Sequence, residues 1–132
     1  AIADLMKEFK GAKKTLAEVT MKLGEMMGQD IEMPFLQATP YLQMFGNVVV
    51  AFYLLEAAVI AADKLEAIYE KEGAKDDEAK AELLEQNPEA AFYHGRVASA
   101  RFFVYNTLPE VDALAKAIIS GDRSALDMVF TE

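Results

Sequence analysis

The chain contains no cysteine, and that absence closes several chemistries at once. Thiolate nucleophiles, disulfides and cysteine-ligated zinc are all impossible without it. A reducing compartment suits such a chain, and a cytoplasmic location is the expectation. Histidine is nearly absent too, with His94 alone. A di-iron helical bundle needs Glu-x-x-His on two helices, and the residue three before His94 is Ala91. No run of glycines forms a phosphate-cradling loop, and no G-x-G-x-x-G follows a strand, because no stretch alternates as a strand does. The first residues carry helical periodicity rather than a basic segment followed by an apolar one, so no secretory signal is expected.

Positive charge is also in short supply. Thirteen basic residues face twenty-two acidic ones, for a net charge of −9. The imbalance is uneven: up to Gly28 there are five lysines and four acidic residues, leaving eight basic against eighteen acidic beyond it. Such a field repels phosphate backbones, so nucleic acid is not an expected partner, and anionic membrane surfaces are disfavoured likewise.

What the chain has in abundance is apolar surface. At 132 residues, 53% of them hydrophobic, it is expected to be one domain (residues 1–132) with a core that needs no staple. The stretch Met44–Ala62, MFGNVVVAFYLLEAAVIAA, holds one charge, Glu56. Nearly every face of that helix is oily, so it needs cover from several sides. Asn47 and Glu56, and the charged helical pattern that follows, argue against a membrane span. The expectation is a central helix wrapped by the rest of the chain and by protein outside it.

The remaining pattern is helical throughout. Ile2, Leu5, Phe9, Ala12, Leu16, Val19, Leu23 and Met26 recur in steps of three and four, a heptad seam ending near Gly28. The pattern breaks from Gln29 to Pro40. Thr39 followed by Pro40 reads as a cap and first turn, opening a long helix to Glu72 that stops at Gly73 and overhangs the packed core. Gly73 to Gln86 reads as a charged connector, either mobile or a short surface helix starting at Asp76–Glu78. Asn87-Pro88-Glu89 starts another helix, which Pro109 kinks or ends. Val111, Leu114, Ala115, Ile118 and Ile119 continue a face to Gly121, and Asp122 is placed to cap a last short helix through Phe130. The predicted fold is all-α: an antiparallel helical bundle of about four main helices.

Few residues invite a chemical role. Glu56, a carboxylate in an oily helix, is expected to find Arg96, Arg101 or His94 on the next long helix, or else to lie near solvent. A Ser-His-Asp set drawn from Ser99 or Ser120 has nothing to bring it together. Met6, Met26 or Met27 could face His94 as haem ligands, but methionine at seam positions is better explained as core filling. Tyr41, Tyr53, Tyr93 and Tyr105 read as amphipathic core edges. No catalytic, cofactor-binding or metal-ligating residue is assigned.

Two segments carry a resemblance. YLQMFGNVVVAFYLLEAA (Tyr41 to Ala58) is an aromatic-leucine start leading into an alanine-rich helix. AAFYHGRVASARFFVYNTLPEVDALAKAIISGDRSAL (Ala90 to Leu126) carries Phe92-Tyr93, then Ala100 to Phe103, Leu108-Pro109, and an aliphatic helix closed by Gly121. Together they resemble the C-terminal helical domain of a subgroup of acyl-CoA dehydrogenases, over most of the chain from about Phe35. The resemblance implies that FAD, the acyl-CoA thioester and the proton-abstracting glutamate belong to a preceding core absent from this chain. Glu56 is not that glutamate, and no catalytic residue carries over. On this reading the chain is a piece excised from the C-terminus of a longer one, which suits the start at Ala1. The parent is an oxidoreductase of fatty acid metabolism, while the fragment alone is not an enzyme. The domain would support core packing, assembly or acyl-pocket shape. Its partners are the dehydrogenase core or a neighbouring subunit in a homo-oligomer. The competing expectation is a standalone interaction module whose Ile2-to-Met26 seam recruits a partner helix.

Overall fold

A computed structural model describes residues 2–131; the expectation attached to Ala1 lies outside the described residues. The order of elements is α1 (Ile2–Gln29), α2 (Glu32–Leu36), α3 (Ala38–Glu72), α4 (Asp77–Gln86), α5 (Pro88–Asn106) and α6 (Glu110–Ile119). There is no strand among the described residues. The all-α expectation holds. The helices α1, α3, α5 and α6 form the bundle, with α2 and α4 as short connectors.

The α1 seam is buried as its spacing requires. Leu5, Phe9, Ala12, Leu16, Val19 and Leu23 all face inward, against Met44, Val48, Ala51 and Leu55 of α3 and Val111, Ala115 and Ile118 of α6. Phe9 meets Phe52 with ring centroids 6.3 Å apart, while Thr20 lies 2.7 Å from the Tyr41 hydroxyl. Those two contacts run in opposite senses along the helices, so α1 and α3 are antiparallel. The seam is filled within the chain and has no free side on which to recruit a partner helix.

Helix α5 also runs antiparallel to α3. Its Val104 joins the main core beside Val48, while Ala90 packs with Leu65 and Tyr69 near the far end of α3. The second half of α3 therefore does not overhang the fold. Leu65, Tyr69, Ala74 and Ala90 make a small second core, covered by Leu83 and Leu84 of α4. Burial pushes the Tyr69 phenol up, and the neighbouring Glu66 carboxylate adds to the shift.

Helix ends follow from local chemistry, with two departures from expectation. Gly73 takes a left-handed φ of 71°, and the amides of Gly73 and Ala74 return to the Glu70 and Tyr69 carbonyls. This paired closure is open to glycine at little steric cost. The connector is a short helix, started by Asp76 accepting from the Ala79 amide at 2.8 Å. Asn87 accepts from the amides of Glu89 and Ala90, with Pro88 in the first turn. Asn87→Ala should lower stability by about 1 kcal/mol, read as a shift in the urea midpoint with an unchanged m value.

Thr39 is the first departure. Helix α3 opens at Ala38 after Gln37, with no side-chain cap, and Pro40 sits within the first turn. The short α2 leads straight in, since the Gln37 amide bonds to the Met33 carbonyl and the Tyr41 amide to the Gln37 carbonyl. Proline is tolerated there because the first four amides of a helix lack intrahelical partners in any case. The second departure is the predicted last helix. Asp122 does accept from the Ser124 amide and hydroxyl, but the chain makes one turn and continues without helix. Met128, Val129 and Phe130 are exposed. So short a segment has no stability of its own and finds no face on which to pack.

Asn47, the one buried polar residue among the described residues, ties α3 to α6. Its amide nitrogen donates to Glu110 Oε2 at 3.3 Å, and its oxygen accepts from Gln43 at 3.0 Å. That pairing removes the penalty for sinking an amide among aliphatic side chains.

Candidate docking face

Only one side of α3 is covered. Met44, Asn47, Val48, Ala51, Leu55, Ala58, Ala61 and Leu65 fall on a single stripe of the helix and are buried. The opposite stripe is also apolar, and it is open: Leu42 is 71% exposed, Phe45 47%, Tyr53 62% and Ile60 56%, with Val49 and Phe52 beside them. The expectation that this chain wraps the helix from several sides is therefore not met. The neighbours α1, α5 and α6 all pack on the same half of the cylinder, and no element among the described residues crosses the other half.

The open stripe runs into a groove. The last turns of α1, the short α2 and the first turns of α3 enclose about 650 Å³, lined by Leu23, Met27, Pro34, Phe35, Leu42 and Phe45. Its polar groups are already engaged. Thr20 donates its hydroxyl proton to the Leu16 carbonyl at 2.8 Å, so the Tyr41 hydroxyl must donate to Thr20. No spare donor remains for a carbonyl or phosphate oxygen. The groove can take apolar side chains and offers nothing to an anion.

By length and composition alone, α3 is apolar enough to cross a bilayer, with 39% of its most apolar window buried. Its packing opposes that use. Helix α1 lies antiparallel along the same stretch and carries exposed Lys7, Glu8, Lys10, Lys14 and Glu18, which hydrocarbon would have to accommodate.

The sequence-flagged residues are scattered by the fold. Glu56 lies exposed on the open stripe, and no ion pair among the described residues reaches it. The expected pairing with Arg96, Arg101 or His94 does not form, and the solvent-facing alternative holds. Arg96 instead stacks on Phe92 at 5.0 Å and Arg101 on Tyr105 at 5.4 Å, within their own helix. His94 is exposed on α5, Met6 packs against the main core, and Met26 and Met27 belong to the Tyr41 end of the bundle. Ser99 is exposed on α5 and Ser120 is exposed just after α6. Tyr41 and Tyr93 are half-buried edges as expected, whereas Tyr53 and Tyr105 face outward. No group of three or more His, Asp or Glu able to hold a metal occurs among the described residues.

Arg123 had no place in the sequence reading. It pairs with Asp30, and lies 3.7 Å from both Glu32 and Asp127. This cluster fastens the segment after α6 to the turn between α1 and α2. No local pattern marks a pair ninety residues apart.

The bundle thus leaves an apolar face of α3 uncovered by the described residues. A family model described as acetyl-CoA dehydrogenase C-terminal like matches residues 1–129. The chain belongs to that family. Two butyryl-CoA dehydrogenases of Syntrophomonas wolfei subsp. wolfei (strain DSM 2245B / Goettingen) are similar to it. One is 36% identical over 91 residues, covering 69% of this chain and 12% of that protein. The other is 30% identical over 90 residues, covering 68% and 12%. The chain thus matches about an eighth of the length of these curated relatives. No solved structure matches. As a member of the acetyl-CoA dehydrogenase C-terminal-like family, the bundle is an accessory helical domain.

Proposed function

We propose that this chain serves as the C-terminal accessory domain of an FAD-dependent acyl-CoA dehydrogenase, docked through the open α3 stripe onto the dehydrogenase core of the same polypeptide or a neighbouring subunit. The family match supports the parent's identity, and the stripe from Leu42 to Ile60 supports the docking. Monomeric proteins rarely leave apolar patches beyond a few hundred Å² uncovered unless something binds them. The bundle's own residues do not fit a flavin: the apolar groove has no donor for a pyrophosphate, and no glycine-rich phosphate cradle exists. The domain's contribution is therefore to assembly and to the shape of the core it covers.

The test compares the full polypeptide with the 132-residue chain and with a truncation lacking it. The full polypeptide should purify with a flavin absorbance band and oxidise an acyl-CoA. The 132-residue chain should show neither, and the truncation should lose assembly. Flavin bound to the 132-residue chain would contradict the proposal.

A further inference from the structure

The open stripe of α3 carries one charge, and its placement says something about what covers it. Residues three and four away on a helix are the lateral neighbours of a side chain. For Glu56 these are Phe52, Tyr53, Val59 and Ile60, and all four are exposed apolar residues, from 41% to 62%. Glu56 is itself exposed and unpaired among the described residues. The same face has no other charge between Leu42 and Ile60, and the next ones, Asp63 and Lys64, lie two turns along. A carboxylate thus sits within the patch, one turn before its last exposed apolar residue, Ile60, with exposed apolar side chains on both sides of it along the helix. Any surface that covers Phe52, Tyr53 and Ile60 must also strip water from Glu56.

An unpaired carboxylate so desolvated opposes docking more strongly than the burial of one flanking aromatic favours it. Cover is favourable only if the incoming surface brings a compensating charge. We propose that the dehydrogenase core docks on this stripe with an arginine placed against Glu56, inside an otherwise apolar contact. The inference rests on the docking reading given above and adds the chemistry of the partner. A guanidinium is favoured over an ammonium because its planar fork can satisfy both carboxylate oxygens at once, and because it is more weakly hydrated. The charge then fixes register: an apolar helix face alone would let a partner slide by a turn, and a single buried pair does not. Two flanks of the molecule are poorer sites for this contact. The groove at Phe35 and Leu42 has no charge to set a register, and the exposed Met128–Phe130 segment has no surrounding face.

The sign of one substitution decides the matter. The chain has no cysteine, so Val49→Cys places the sole thiol of these 132 residues within the stripe without touching Glu56. In the full polypeptide, its maleimide labelling rate, followed on its own peptide by mass spectrometry, reads the fraction of time the face is open. Against that background, Glu56→Leu should raise the labelling rate about thirtyfold or more, because the arginine is left buried and unpaired. Glu56→Gln should raise it in the same direction. If no cation opposes Glu56, Glu56→Leu removes a penalty and slows labelling instead; that outcome, or an unchanged rate, overturns the inference while leaving the docking face intact. A thiol labelled as fast as one placed at exposed Lys14 by Lys14→Cys, even with Glu56 present, shows the stripe uncovered. That result sinks both the inference and the docking reading on which it rests.

Discussion

Leu42→Asp combined with Val49→Asp should leave the bundle folded and release it from its partner. Both side chains lie on the open stripe, 71% and 38% exposed, so neither change removes a core contact within the chain. Surface changes of that kind usually shift stability by about 0.5 kcal/mol or less. In a docked face the same aspartates lose the burial of two aliphatic side chains and add two desolvated carboxylates. Together these weaken docking by roughly a thousandfold or more. In the full polypeptide the bundle should then unfold in a separate thermal transition instead of melting with the rest. In the isolated chain, apolar-dye binding and concentration-dependent association should both fall. Unchanged association with the fold preserved would place the contact elsewhere.

Met44→Ala should act in the opposite way. Met44 stands two residues from Leu42 on the same helix, yet it is fully buried where α1, α3 and α6 meet. Truncating a buried methionine to alanine costs about 2–5 kcal/mol, through lost burial and the cavity that remains. For a chain of this size that lowers the melting temperature by roughly ten degrees or more. The urea midpoint should fall without loss of helix in the native baseline, and the exposed stripe should bind its partner unchanged wherever the bundle is folded. A small shift at Met44 together with a large one at Leu42 would mean that the inner and outer faces of α3 have been assigned the wrong way round.

This pair of expectations marks where the sequence stops being legible. The α1 seam could be read because its apolar residues fall on one stripe and lysines and glutamates fill the rest. In α3 both stripes are apolar, so periodicity carries no sign. That Met44 faces in and Leu42 faces out depends on which side the other helices occupy. The resemblance to the family's helical domain reached the right family through Tyr41–Ala58 and Ala90–Leu126. Glu56 shows the same limit at one residue. Its helix placed it among apolar neighbours, which suggested a buried ion pair within the chain. The fold places those neighbours outward, and Glu56 faces solvent with them.

The helix ends were legible where one residue decides them, as Gly73, Asp76 and Asn87 do through a left-handed turn or a capping oxygen. They failed where tertiary packing decides. Thr39 is a fitting cap, but α2 feeds into α3 two residues earlier, through Gln37. Asp122 makes its local turn, but Met128, Val129 and Phe130 find no surface to continue it. The Arg123 cluster lay beyond any local signal, because its partners Asp30 and Glu32 arrive only when α6 packs against α1.

The central claim is that the outward stripe of α3 is covered in the protein that carries this domain. Hydroxyl-radical footprinting tests it most directly, with oxidation at Phe45, Phe52 and Tyr53 compared between the full polypeptide and the isolated chain. Strong protection of all three in the full polypeptide, with Met21 on the outer side of α1 still oxidised, is the predicted result. Equal oxidation of Phe45, Phe52 and Tyr53 in both forms would contradict the docking face and the accessory role built upon it.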